Sequence, residues 1–458
     1  MKEYDVVVIG AGSGLSLVYK ALSENLTVAL VAREYLGGTC MNVGCVPSKT
    51  LLYVADTVIQ IREAGRLGVH AEITSMDFSA IMSRMRETRK KGVDFVRGDL
   101  AGTDNLDFYE AEGRFIDEYT MEVGAEKIRG KKIFIASGAR PAIPPIKGLS
   151  DVPYLTNESL LELERLPESI VIIGGSYIGV EYAHFFAGLG AEVSIVEYND
   201  RLVSFEEPEI SELLGKSLEK RMKIYVGHEA LSAARDSSGT SLTVRDRRTG
   251  VERNIRGQAV LIAAGRKSNA DRLNLEKTGV TLTRTGFIEV NDYLETSKPG
   301  IWAIGDATGK GMFTHAADHE MGIAWHNARH EDKRKMNFDA VPHAVFTLPQ
   351  IASIGMTEAH ASQSHEILVG QAQYADTAQS DVRMESQGFA KAIVDKGTER
   401  ILGFHIIGPD AALLIQEVVQ VVTQKASYKA IIEAMHIFPA LTELIPETFS
   451  RLEEKTKP

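Results

Sequence analysis

Cysteine is almost missing from this chain: 458 residues hold two, Cys40 and Cys45, both inside the stretch GGTCMNVGCVPSK at 37–49. Two cysteines cannot staple a chain of this length, so a disulfide scaffold is excluded and stability must come from a buried core. Positive charge is not in excess either. The formal net charge of -11 excludes nucleic acid as the main partner. No apolar run approaches the roughly 20 residues of a membrane-spanning helix. The start, MKEYDVVVIG, runs almost directly into a strand, so no signal or transit peptide is expected. The expectation is a cytoplasmic protein with no membrane partner. What is present is ordinary for a globular chain, at 44% hydrophobic and 25% charged residues, with length for roughly two to four domains.

The cysteine stretch organises the rest. Cys40 and Cys45 have four residues between them. Such a pair can close a small disulfide loop, or bind a metal with help from elsewhere. Metal sites show cysteines at two-to-four-residue spacing together with further Cys or His, and no such second half is visible, so no metal is expected. Two unrelated thiols that happen to be neighbours is the plain alternative. The sharper reading is a redox-active dithiol beside a bound cofactor. Gly37 and Gly38 let backbone come close to something, and the apolar run Leu51 to Val58 reads as a helix leaving the site.

Two βαβ patterns supply what a redox pair needs. Val6 to Ile9 is a strand-length apolar run, followed by Gly10, Gly12 and Gly14, a helical stretch from Leu15 to about Ser23, and a strand at Val28 to Val31. A glycine turn between strand and helix seats a pyrophosphate on the helix N-terminus. Leu15 stands where the motif has its third glycine, and a bulkier residue there should push helix and strand slightly apart. The only acid near the end of the second strand is Glu34, and it sits late. The second unit begins at Ile170 to Ile173, with Gly174, Gly175, Ser176 and Gly179, a helix to about Gly188, and a strand Val193 to Val196. Glu197 closes that strand where ribose hydroxyls are held. A carboxylate there repels a 2′-phosphate, so NAD is preferred over NADP; Arg201 nearby tempers this.

Further along, Phe78 to about Val96 has helical spacing, and its Arg and Lys cluster reads as a solvated face. A β-rich segment runs to about Lys132. Ile133 to Ala139 and Val260 to Gly265 read as matching buried strands, and Thr296 to Asp306 as a strand presenting Gly305 and Asp306. The pairs His315/His319 and His326/His330 read as helix-surface or core histidines. From about Phe338 the tail is mixed, with helices near Ala411–Lys425 and Lys429–Met435.

GGTCMNVGCVPSK, GGSYIGVE, TSKPGIWAIGD and VFTLPQIASIGMTE together resemble the FAD-dependent pyridine nucleotide–disulfide oxidoreductases over nearly the whole chain. Dihydrolipoamide dehydrogenase is the nearest likeness, and mercuric and glutathione reductases are cousins. The resemblance implies an α/β fold: two Rossmann-like dinucleotide-binding domains and a C-terminal α+β dimerisation domain. It places an FAD-binding domain at 1–145 and 270–337, an NAD-binding domain at 146–269 and a dimer-interface domain at 338–458. It implies a homodimer acting on a small dithiol or disulfide, or on a lipoyl group carried by a protein. Cys45 is then the cysteine beside the flavin and Cys40 the one that exchanges with substrate. Lys49 lies near the flavin and pairs with Glu181. Gly10, Gly12 and Gly14 seat the FAD pyrophosphate, with Glu34, Gly38, Thr39 and Gly138 in support, and Gly305 and Asp306 meet the ribityl chain. Gly174, Gly179, Glu197 and Gly265 serve the nicotinamide cofactor.

The resemblance breaks at the acid/base. The family has His-x-His-Pro, the second His oriented by a Glu five residues on. Here the segment is His436-Ile437-Phe438-Pro439, with Glu443 in place but Phe438 at the base position. His436 is the nearest candidate base, though its side chain should point elsewhere. Mercuric reductases also lack that His but carry a C-terminal cysteine pair, and no cysteine follows Cys45. Three functions therefore compete: a dithiol/disulfide oxidoreductase, an NADH-dependent reductase of metal ions or quinones, and a non-catalytic flavin-bound scaffold or redox sensor.

Overall fold

The structure is a computed structural model and describes residues 1–237 and 239–455. The chain divides into two compact units, 1–50 with 82–142 and 265–338, and 51–81 with 143–264 and 339–458.

The first unit is built on a seven-stranded sheet. Strand Lys2–Ile9 lies between Val28–Val31 and Glu126–Ile135, parallel to both, with Val6 opposite Val28 and Val7 opposite Ile133. Leu106–Tyr109 extends the sheet on one side, Ile301–Ala303 joins Glu126–Ile135 in parallel, and the antiparallel strands Gly113–Asp117 and Thr120–Val123 complete it. The parallel strands read as continuous apolar runs because they are buried on both faces. Val6, Val8, Val28, Leu30, Ile133 and Ile135 have no exposed surface, and each such side chain contributes roughly 1.5–3 kcal/mol by burial. Helix Gly14–Ser23 makes the first crossover.

The strand expected over 133–139 ends at Ile135. Gly138 turns the chain with φ of 67°, a left-handed conformation that stops a ladder. Ala139–Pro141 then pairs antiparallel with Arg266–Ser268, and these short strands flank the inserted segment. Of the run Thr296 to Asp306, only Ile301–Ala303 is strand.

The second unit holds three sheets. A parallel sheet runs Lys223–Tyr225, Glu192–Val196, Ser169–Ile173, Ala259–Ile262, with helix Tyr177–Gly188 as its crossover. A three-stranded antiparallel sheet is made of His228–Asp236, Gly239–Asp246 and Glu252–Gly257. The tail forms a six-stranded antiparallel sheet in the order His343–Val345, Gln350–Gly355, Ile401–Gly408, Phe389–Asp395, Ile367–Gln373, Glu453–Glu454. Helices Ala411–Thr423 and Leu444–Ser450 bury Leu414, Ile415, Val418, Leu444 and Phe449 against it. The helix read as ending at Met435 spans only Lys429–Ile432. No helix among the described residues is long and apolar enough to cross a membrane.

Candidate active site

In the first unit the glycine turn is held from both sides. Gly10 has φ of 111°, and a Cβ there would lie 2.1 Å from the Ala136 carbonyl oxygen. Gly12 and Gly38 meet backbone to backbone, since a Cβ on Gly38 would sit 2.4 Å from the Gly12 Cα. The close packing of helix on strand falls to Gly14, whose Cβ would meet Val8 at 2.9 Å, while Leu15 is buried in the core. Thr39 follows Gly38 in the short helix Gly38–Val43 that carries Cys40. The buried Asn42 ties that helix down, its Nδ2 donating to the carbonyls of Leu36 and Gly38 at 2.8 and 2.9 Å.

A longer helix, Cys45–Glu63, starts at the second cysteine, six residues before the apolar run that signalled it. Pro47 fits its first turn, where a missing N–H leaves no bond unmade. Cys45 thus sits at a helix N-terminus, which favours its anion. Its thiol is pulled down to about 6, chiefly because the Cys40 thiol donates to it; burial opposes this, and the Thr314 hydroxyl and the Lys49 charge reinforce it. Cys40 is pushed well above the usual thiol range by the same bond, by burial and by the charge on Cys45. Both cysteines are unbridged. The pair is therefore one thiolate and one thiol near neutral pH.

Thr314 escaped sequence reasoning. Its Oγ1 lies 3.5 Å from Cys45 Sγ, yet 269 positions separate them and no spacing links the two. Asp306 follows the parallel strand Ile301–Ala303, whose last residue pairs with Ile135 as Ile9 does, so it lies at the same strand end as the Gly10 turn. Asp306 is pushed up by burial and held back by Arg266, whose Nη2 is 3.6 Å from Oδ2. Glu320, on helix Thr314–Arg329, accepts the Gly305 N–H at 2.6 Å. A sequence signal for Glu320 existed: it is an acid on the buried stripe of Ala316, Ala317, Met321 and Ala324. Glu34 lies on the surface, paired with Arg33 at 3.3 Å and Arg272 at 3.8 Å.

These residues fit FAD. A glycine turn at a helix start suits a pyrophosphate, and the Ser137 hydroxyl and one Glu320 oxygen are buried polar atoms with no partner among the described residues. Bound there, FAD supplies the two-electron exchange between a nicotinamide and a dithiol.

The second unit repeats the turn. Gly174 also has φ of 111°, with its Cβ position 2.3 Å from the Ala263 carbonyl oxygen, and Gly179 packs against the Gly174 carbonyl. Glu197 accepts three hydrogen bonds, from Gly175 N–H at 2.5 Å and from Asn199 N–H and Nδ2 at 2.7 Å each. A carboxylate has about four acceptor sites, so Glu197 has room for one further donor. Gly265, in the first unit, has φ of 122° and its carbonyl accepts the Ala142 N–H. Glu181 is buried on helix Tyr177–Gly188 and accepts the Phe346 N–H at 3.0 Å.

The tail departs as its sequence suggested. Phe438 is exposed. His436 is turned onto Glu417, with Nε2 2.8 Å from Oε1. Glu443 accepts the Ala440 N–H at 2.8 Å, capping its own turn. Among the described residues the only grouping of acids with metal-like geometry is Glu207, Glu209 and Glu358, and the Lys391 ammonium bonds all three. His315 stacks on Phe313 and His326 on His330.

Two dinucleotide turns and an activated dithiol define a flavin- and nicotinamide-dependent thiol oxidoreductase. Residues 4–321 match the pyridine nucleotide-disulphide oxidoreductase family and residues 341–449 its dimerisation domain. The chain belongs to that family, whose members use FAD and NAD(P)H, and is an enzyme of it acting on sulfur groups. Its dimerisation domain supports a homodimer. It is 33% identical to a mercuric reductase of Bacillus cereus over 90% of its own length and 66% of the relative's. It is 32% identical to the dihydrolipoyl dehydrogenase of Chlamydia trachomatis, over 98% of this chain and 96% of that one. Mycothione reductase of Mycobacterium tuberculosis is also 32% identical, over 97% and 98%. Among solved structures, the Cu(II) complex of the HOCl-induced flavoprotein disulfide reductase RclA from Escherichia coli superposes with a TM-score of 0.87 at 29% identity, covering 98% and 99% of the two chains.

Proposed function

We propose that this protein is an NAD-linked, FAD-dependent disulfide oxidoreductase of dihydrolipoamide dehydrogenase type. The Cys40–Cys45 pair carries the reading: one thiol held as an anion down to about pH 6 beside one held protonated. Cys45 faces the flavin, Cys40 exchanges with the substrate, and Lys49 and Thr314 hold the Cys45 charge. The net change is NADH, a proton and a disulfide giving NAD⁺ and a dithiol, or its reverse. Residues 1–145 with 270–337 serve FAD, 146–269 serve NAD and 338–458 form the dimer interface. Glu197 sets a preference for NADH over NADPH, and Glu197→Ala should narrow it; a wild type that prefers NADPH would instead give the decision to Arg201.

Phe438 favours a second reading, reduction of metal ions or quinones. Such acceptors need no proton donor of the kind that thiol exchange requires, and relatives include mercuric reductases and a reductase seen with Cu(II). The test compares NADH oxidation with oxidised lipoamide against NADH oxidation with Hg(II), Cu(II) or a quinone. Lipoamide turnover that Cys40→Ser abolishes supports the first reading. Turnover with metals or quinones alone supports the second. FAD-bound protein inert to all of them would leave a scaffold or sensor.

A further inference from the structure

We propose that Glu320 is a positioning residue for the flavin: a neutral carboxyl that holds the Gly305–Asp306 turn in shape for FAD, and that loosens FAD when it loses its proton. The inference rests on the assignment of the first unit to FAD.

The turn Gly305–Ala307 starts at a glycine with φ of 63°, a left-handed conformation with little intrinsic reason to persist. Glu320 holds it, Oε2 accepting the Gly305 N–H at 2.6 Å from a side chain that is fully buried. The other oxygen, Oε1, is buried without a partner among the described residues. An unpaired buried charge is far more costly than an unpaired neutral group, so the proton belongs on Oε1 and the acceptor role on Oε2. The charged groups that reach Glu320 are Asp306, in the turn it holds, and Lys310, in the loop that follows. Asp306 in turn faces Arg266.

Chemistry then couples the two carboxyls. Burial, with the Asp306 charge adding to it, pushes Glu320 up to about 7, while the Gly305 N–H and Lys310 pull the other way. Hydroxyl groups donating to Asp306 favour its ionised form. An ionised Asp306 disfavours charge on Glu320. That charge already acts without FAD; FAD bound over the turn displaces water from it, which disfavours a charged Glu320 further, and by linkage FAD must weaken as pH rises through the Glu320 titration. Glutamine reproduces the neutral form, with a carbonyl oxygen for Gly305.

The test is reconstitution of the apoprotein with FAD, followed by flavin fluorescence between pH 6 and 9, for wild type, Glu320→Gln and Glu320→Met. The FAD dissociation constant of wild type should rise above pH 7, by up to about tenfold per pH unit. Glu320→Gln should match wild type at pH 6 and stay flat. Glu320→Met should bind about tenfold or more weakly at pH 6 while keeping the circular dichroism of the wild-type apoprotein. A flat wild-type profile overturns the proposal, and so does a Glu320→Gln profile with the wild-type slope. Should Glu320→Met fail to fold, wild type against Glu320→Gln decides alone. Wild type that takes up no FAD at any pH would sink the assignment of the unit itself, a different result from FAD that binds without a slope.

Discussion

At the scale of single residues, the dithiol is asymmetric by construction. Cys45 has the helix N-terminus, Thr314 and Lys49; Cys40 has burial and the proton. Two-electron reduction of the FAD-loaded protein should therefore give a long-wavelength thiolate-to-flavin charge-transfer band. Cys40→Ser should retain such a band, because the thiolate is Cys45, and Cys45→Ser should lose it. The sign of the pH dependence follows from a thiol lowered to about 6: the band is present above that value and fades below it. Thr314→Val removes a donor to the anion, so its midpoint should move up. A band that survives Cys45→Ser reverses the roles. Phenylalanine at 438 cannot take a proton, and His436 is committed to Glu417. Dihydrolipoamide oxidation should be slow at pH 7 and climb toward the free thiol value of about 8.5, where substrate thiolate forms unaided. Phe438→His should raise the neutral rate by about 10²-fold, the low end for general base catalysis, provided the second Glu443 oxygen reaches the new imidazole. Wild type that is fast at pH 7, and stays fast as His436→Ala, would point to another base.

At the scale of elements, buried polar links hold helix Pro208–Leu218 to the tail sheet. Lys391 Nζ lies 2.8 Å from Glu207 and 2.7 Å from Glu358, and Glu206 bonds His343 and Ser353 at 2.7 and 2.6 Å. Burial works against the Lys391 charge, but the carboxylates outweigh it and hold the ammonium well above its usual value. A lysine raised on folding contributes stability that is fully present below its unfolded value of about 10.4 and is lost only at higher pH. Lys391→Met strands buried carboxylates, so urea unfolding at pH 7 should show a loss of about 3–5 kcal/mol. The deficit should shrink on acidification, as those carboxylates take up protons. None of this cluster was legible in the sequence, because its members lie between 206 and 391 with no shared spacing. The dinucleotide turns were legible for the opposite reason. A glycine turn between an apolar strand and a helix is local, and Gly10 and Gly174 adopt the same φ. The redox pair was legible as a pair, but its electrostatics were not, since Thr314 reaches Cys45 only through the fold. The strands read to 139 and 306 stop earlier, at Ile135 and Ala303, because the sequence stays largely apolar past the last ladder pair and into the turns at Gly138 and Gly305.

At the scale of the whole molecule, the tail presents an apolar surface that one chain does not cover. Met435 is 100% exposed, Ile437 78% and Phe438 73%. Consecutive exposed apolar side chains of this kind mark a contact surface, and they fall within the matched dimerisation domain at 341–449. A twofold axis lets the same patch serve both copies, so a second copy of this chain is the expected occupant. The double variant Met435→Asp with Ile437→Asp puts two charges into that contact. Sedimentation velocity should show wild type as a dimer and the variant as a monomer at micromolar concentration, with FAD retained because its turns lie elsewhere in the chain. If the tail also completes the partner's dithiol site, the monomer should still pass electrons from NADH to ferricyanide, which needs only the bound cofactors, but should lose lipoamide turnover. A variant that remains dimeric would move the interface to another surface. A monomer with full lipoamide turnover would leave the interface in place and remove the tail from the chemistry.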